Sequence, residues 1–116
     1  MSRQKTSELL LRYVSLNEEI KYFQQENAKL HLPDISGQQF DADFLDQYYS
    51  LFDKKEEWSR KIANHKEQLI EKMELLKPIF KLINGASIRV QKNSGVQYKE
   101  LSFELKGETL EWTEVR

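Results

Sequence analysis

The apolar positions of this chain follow two different periods. Across residues 36–84, Phe44, Tyr48, Leu51, Trp58, Ile62, Leu69, Leu76, Ile79 and Ile83 recur on alternating three- and four-residue steps. That spacing predicts one long helix with an a/d seam. Lys55, His65 and Lys72 interrupt the seam, while Leu45, Tyr49, Phe52, Ile70, Met73 and Phe80 widen it beyond what one neighbouring helix covers. Residues of about 6–30 repeat the pattern with Leu9, Tyr13, Leu16, Ile20, Phe23 and Leu30. Asn27 takes an a position in this first helix, where a buried asparagine can fix register and a helix-end one is simply wet. Leu10, Leu11 and Val14 lie off the seam. After Gly85 the period falls from about 3.6 to 2, the spacing of strands.

Boundary residues refine these elements. Ser36 with Gln39 fits a capping box, and Ile35 with Phe40 fits the accompanying hydrophobic staple, so the long helix is expected over about 37–83. Asp41 is the alternative cap. Asn84-Gly85 supplies the stop, since glycine takes the left-handed conformation past a helix end. Pro78 lies inside the pattern and is expected to kink the helix or start a separate last turn. Pro33 stops the first helix, and the short connection 31–35 makes the two helices antiparallel neighbours. Counting outward from it, Leu30 faces the 40–44 region and the first helix runs out near His65. The second half of the long helix then projects uncovered.

The strand segments read as a three-stranded meander. Ile88 and Val90 mark the first strand, and Asn93-Ser94-Gly95 fits a three-residue loop with left-handed Gly95. In the second strand Val96 and Tyr98 share one parity, whereas Leu101, Phe103 and Leu105 share the other. A β-bulge near Lys99-Glu100 would bring them to one face, with Val90 opposite Tyr98 and Ile88 opposite Leu101. Lys106-Gly107 is expected to form a type I′ turn that pairs Phe103 with Leu110 and Leu101 with Trp112. The apolar face so formed needs cover. The projecting end of the long helix offers it, and Trp112 is expected to contact the segment 69–83 of the same chain or of a partner chain. The predicted fold is α+β: a long antiparallel, coiled-coil-like helical hairpin over 1–84, then a three-stranded antiparallel meander over 85–116 packed on the end of the long helix, in one domain.

Composition narrows the functional classes. The 116 residues carry 39% hydrophobic and 32% charged side chains, enough for one thin core. A net charge of −1 gives no global field for nucleic acid or anionic lipid. The absence of cysteine excludes disulfides and thiolate chemistry and favours an intracellular, by default cytoplasmic, setting. No apolar run approaches the roughly 20 residues of a membrane span, and the first residues contain no signal-peptide core.

Candidate chemistry is sparse. His31 and His65 stand far apart in the antiparallel arrangement and cannot share a metal. His65 in the seam could be a buried polar contact or a pH-sensitive element, although a structural or exposed histidine is the commoner outcome. Glu18, Glu19, Asp41, Asp43, Glu56, Glu57, Glu71 and Glu74 read as solvated faces and cap charges. Lysines and arginines over 54–81 are interleaved with glutamates, which describes a salt-bridged solvent face better than a nucleic-acid ridge. No phosphate loop, nucleophile elbow or metal spacing is present. No catalytic residue, cofactor or metal is therefore expected, and the chain is not expected to be an enzyme.

The surplus apolar residues point to association. Leu10 and Val14 in the first helix, and Tyr49, Phe52 and Trp58 in the second, exceed what one antiparallel pair buries. A two-fold homodimer forming a four-helix bundle would cover them, with Trp112 a further interface residue and the sheet end a candidate dock for another protein. The order of helices followed by a small meander resembles, in architecture alone, subunits of kinetochore complexes, which implies a scaffold that dimerises and docks a partner. The expected function is a non-enzymatic interaction or scaffold module that self-associates through its helices. The alternative is a nucleic-acid-associated accessory protein, against which the charge balance argues.

Overall fold

A computed structural model describes residues 5–35, 39–94 and 97–115. Its elements are α1 (Thr6–Ala28), α2 (Ala42–Leu82), β1 (Ile88–Ser94), β2 (Gln97–Lys106) and β3 (Thr109–Val115). The fold is α+β: two helices, one of 41 residues, followed by a three-stranded antiparallel sheet of order β1-β2-β3.

The ends of α2 follow local chemistry. Asp41 is the N-cap, its carboxylate accepting from Phe44 N at 2.8 Å, which satisfies one of the free donors of the first turn. The helix therefore begins later than 37, at the alternative cap; Ser36 of the capping box lies outside the described residues. At the other end Gly85 N donates to Phe80 O and Asn84 N to Lys81 O, the paired bonds of a Schellman motif. Asn84 itself holds the left-handed position with φ 54°, and Gly85 follows with φ 81°. The helix continues through Pro78 to Leu82. No separate last turn forms, because the turns on either side of Pro78 are anchored by Leu76 and Phe80, which are 0% and 2% exposed.

Contacts between the helices fix their register. Arg12 meets Gln68, Glu19 meets His65, and the carbonyls of Asn27 and Leu30 meet Lys55. Partner numbers fall on α2 as they rise on α1, so the helices run antiparallel. This register differs from the predicted one: Leu30 lies beside Lys55 and not beside residues 40–44. The cause is the connection, which is longer than 31–35 and sets Pro33 against Phe44, Tyr48 and Leu51 of α2. The part of α2 that extends past α1 is consequently its first turns, and its C-terminal half is covered on the face of Leu76 and Phe80, while Ile70, Leu75 and Leu82 stay exposed.

That cover comes from α1 and the sheet together. Leu9, Leu10 and Val14 of α1, Leu76 and Phe80 of α2, and Val90, Leu101, Phe103 and Leu110 of the sheet form one buried cluster. Each such side chain contributes about 1.5–3 kcal/mol before conformational entropy is subtracted. Leu16 and Ile20 are buried further along α1.

The sheet pairs more simply than expected. Ile88 faces Phe103, Val90 faces Leu101, and the ladder continues unbroken to Ser94 and Gln97. The connection is thus the two residues 95–96, and the predicted bulge and three-residue loop are absent. An unbroken ladder leaves no residue unpaired. Tyr98 pairs through its backbone with Asn93; Gly95 and the Tyr98 side chain lie outside the described residues. Between β2 and β3 the pairs are Phe103 with Trp112 and Leu105 with Leu110, two residues from the predicted register, so the same side chains still share a face. The turn residues are Gly107-Glu108. Gly107 has φ 63° as expected, but Glu108 is not left-handed, a pattern that fits type II′ with glycine first, not type I′.

Candidate interaction surface

The first turns of α2 carry the most exposed aromatic surface of the helices. Two faces of this segment differ. On one, Phe44, Tyr48 and Leu51 are half-buried along a groove closed by Pro33, and Phe40 stacks on Phe44 with ring centres 4.8 Å apart. On the other, Leu45, Tyr49 and Phe52 follow i, i+4, i+7 spacing and form one stripe. They are 37%, 63% and 41% exposed.

A lysine marks where α1 stops covering α2. Lys55 Nζ donates to Asn27 O at 3.1 Å and to Leu30 O at 2.8 Å. Asn27 O belongs to the last turn of α1 and Leu30 O lies just past its end, and α1 has no basic residue in its own last turn. The ammonium of one helix thereby caps the negative end of the other. The charge along α2 changes sign at the same place. Residues 41–53 hold Asp41, Asp43, Asp46 and Asp53 and no basic residue, whereas 54–66 hold Lys54, Lys55, Arg60, Lys61 and Lys66 against Glu56 and Glu57.

The residues predicted for an interface divide into three groups. Leu10 and Val14 are 0% and 2% exposed within the chain's own core, because the sheet covers the face of α1 that two helices alone leave open. Trp58 and Trp112 pack inside the chain. Trp58 lies 5.5 Å from the Phe23 ring with Lys61 Nζ 4.8 Å over its face, and Trp112 meets Tyr13 edge-on at 5.9 Å and Phe103 at 6.2 Å. The ring partners of Trp112 are thus on α1 and β2, and it packs against the cluster that holds Leu76 and Phe80 of the segment 69–83. Tyr49 and Phe52 remain at the surface.

Other polar groups are occupied structurally. His65 Nδ1 lies 2.9 Å from Lys61 O and Nε2 lies 2.6 Å from the Glu19 carboxylate, which also pairs with Arg12. Asn27 Oδ1 is buried and, among the described residues, unpaired. A groove of about 520 Å³ lies between α2 and the β2–β3 turn. There Lys77 bonds to Glu108 and Glu74, and both carboxylates hold its ammonium protonated above the ordinary lysine range. Among the described residues no group of three His, Cys, Asp or Glu could hold a metal, and no helix is long and apolar enough to cross a membrane.

Lys55 and Glu19 are the residues that sequence reasoning missed. Their partners are 25 or more residues away, and no local pattern signals such contacts. Compared with models of known families, with curated proteins and with solved structures, the chain matches none.

Proposed function

We propose that the protein is a non-enzymatic interaction module that self-associates through the first turns of α2 while presenting its sheet. One observation carries the reading: Leu45, Tyr49 and Phe52 line up on the one stretch of α2 that α1 does not reach. The α1–α2 pair then acts as a coiled-coil-like stalk that holds the stripe at one end and the sheet at the other. The three side chains leave roughly 300 Å² exposed, well under the ~800 Å² per partner of a stable interface, so the association belongs to the weak, transient class.

Sedimentation equilibrium at roughly 300 µM, where interfaces this small associate, is the test. The wild type is expected above its monomer mass of 13.9 kDa. Tyr49→Glu with Phe52→Glu should return it to that mass with an unchanged circular dichroism spectrum, because neither side chain belongs to the core cluster. A wild type that stays monomeric at this concentration would overturn the proposal.

A further inference from the structure

We infer that Asn84 is a site of spontaneous covalent modification, its side-chain amide lost to attack by the Gly85 backbone nitrogen, and that the cap of α2 gates the reaction. The inference is independent of self-association and concerns the joint between α2 and the sheet.

The reaction consumes water alone. The Gly85 N–H gives its proton to solvent base, and the nitrogen attacks Asn84 Cγ. A new C–N bond closes a five-membered imide, the Cγ–Nδ2 bond breaks, and ammonia leaves with a proton taken back from solvent. Water then adds to one of the two ring carbonyls. Opening at Cγ gives aspartate. Opening at the main-chain carbonyl gives isoaspartate, whose backbone runs through the former side chain. Asparagine and water thus become an acid and ammonia, and no atom is oxidised or reduced. The attack is intramolecular, so the placement of the nitrogen over Cγ sets the rate.

Three observations place the reaction here. Asn84-Gly85 is the one Asn-Gly pair in the chain, and glycine leaves the attacking nitrogen unencumbered by a side chain. Both residues are exposed, and a Cβ built on Gly85 meets nothing within 4 Å, so ring closure and water entry have open space. The other asparagines, Asn17, Asn27, Asn64 and Asn93, lie inside α1, α2 and β1, where the helix or the ladder fixes the backbone.

The cap supplies the gate. With φ 54° at Asn84, Gly85 N donates to Phe80 O at 3.3 Å, which ties the nitrogen to the helix. A separation beyond the usual 2.7–3.2 Å, at a helix end, marks a bond that opens readily, and each opening frees the nitrogen. The product then blocks full reclosure. Isoaspartate inserts one extra main-chain atom between residues 84 and 85, so Gly85 N and Ala86 N no longer reach Phe80 O and Ile83 O together. Modification therefore loosens the joint that sets the sheet against Leu76 and Phe80.

The experiment incubates the full chain in neutral and in mildly alkaline buffer, both folded and unfolded in urea. Peptide mapping by mass spectrometry follows the amide-to-acid mass gain, and enzymatic methylation of isoaspartate identifies the product. Asn84 is expected to react ahead of every other asparagine, faster in alkali, and faster in urea than in the folded chain. The urea midpoint of the aged protein should fall. Asn84→Gly, which accepts φ 54°, should lose both the mass gain and the drift of the midpoint. An Asn84 that stays intact in the folded chain for as long as Asn17, Asn27, Asn64 and Asn93 would overturn the site. Equal rates in the folded and unfolded chain would overturn the gate.

Discussion

Replacing Lys55 with methionine tests the register of the helices directly. Methionine keeps most of the aliphatic stem and removes the ammonium. Two charge-assisted bonds disappear, at 3.1 Å to Asn27 O and 2.8 Å to Leu30 O. A bond to a charged group contributes about 1.5–3 kcal/mol. Asn27 and Leu30 are only half-buried, so water re-satisfies part of the loss. Losing the cation at the negative end of α1 adds about 0.3–1 kcal/mol. The expected cost is about 2 kcal/mol, which at a urea slope of about 1.5 kcal/mol per molar lowers the midpoint by roughly 1–2 M. The amides of Lys29 and Leu30, which bond back to Gln25 O and Asn27 O, should exchange faster with solvent. The control is Lys54→Met at the exposed neighbouring position, expected within about 0.5 kcal/mol of wild type. Equal midpoints and equal exchange for the two variants would refute the cross-helix cap.

Two smaller perturbations follow from single positions. Gly107→Val should cost about 1–2 kcal/mol through backbone strain alone, since φ is 63° and an added Cβ meets nothing within 4 Å. A melting temperature equal to wild type would show that the turn does not require left-handed backbone. Asn27→Leu should stabilise the chain by about 1–2 kcal/mol, because it removes a buried acceptor that has no partner among the described residues and leaves the carbonyl that Lys55 uses. A urea midpoint below wild type would show that the side-chain oxygen has a role of its own.

The order of elements was legible because local signals agreed: Asp41, Asn84-Gly85 and Gly107 each punctuate the chain where propensity places a boundary. The relation between elements was less so. Two cap signals compete at the start of α2, and choosing Ser36 over Asp41 shortened the connection and moved the projecting end from the start of α2 to its finish. Lys55 carries the true register, yet in sequence it is only a polar break in an apolar stripe. Tyr98 misled the strand reading, since keeping it with Leu101 and Phe103 demanded a bulge that the ladder does not contain. For the candidate surface, Tyr49 and Phe52 could be picked out as surplus from helical spacing. Leu10 and Val14 could not be separated from them, because their cover comes from strands of a different period that begin about 75 residues later, beyond the reach of any local pattern.

The core unites the two ends of this sequence: Leu9, Leu10 and Val14 are buried with Leu101, Phe103 and Leu110. During synthesis α1 emerges first, with its sheet-facing leucines bare, and α2 can pair with it through Lys55 and His65 well before any strand exists. The meander then forms from neighbours, but its apolar face closes only once Leu110 has been made. A nascent chain arrested inside β2 is therefore a helix pair with an open apolar flank, the kind of exposed surface that chaperones hold and that aggregation exploits. The last strand acts as the commitment step of biogenesis, converting a sticky intermediate into a closed protein.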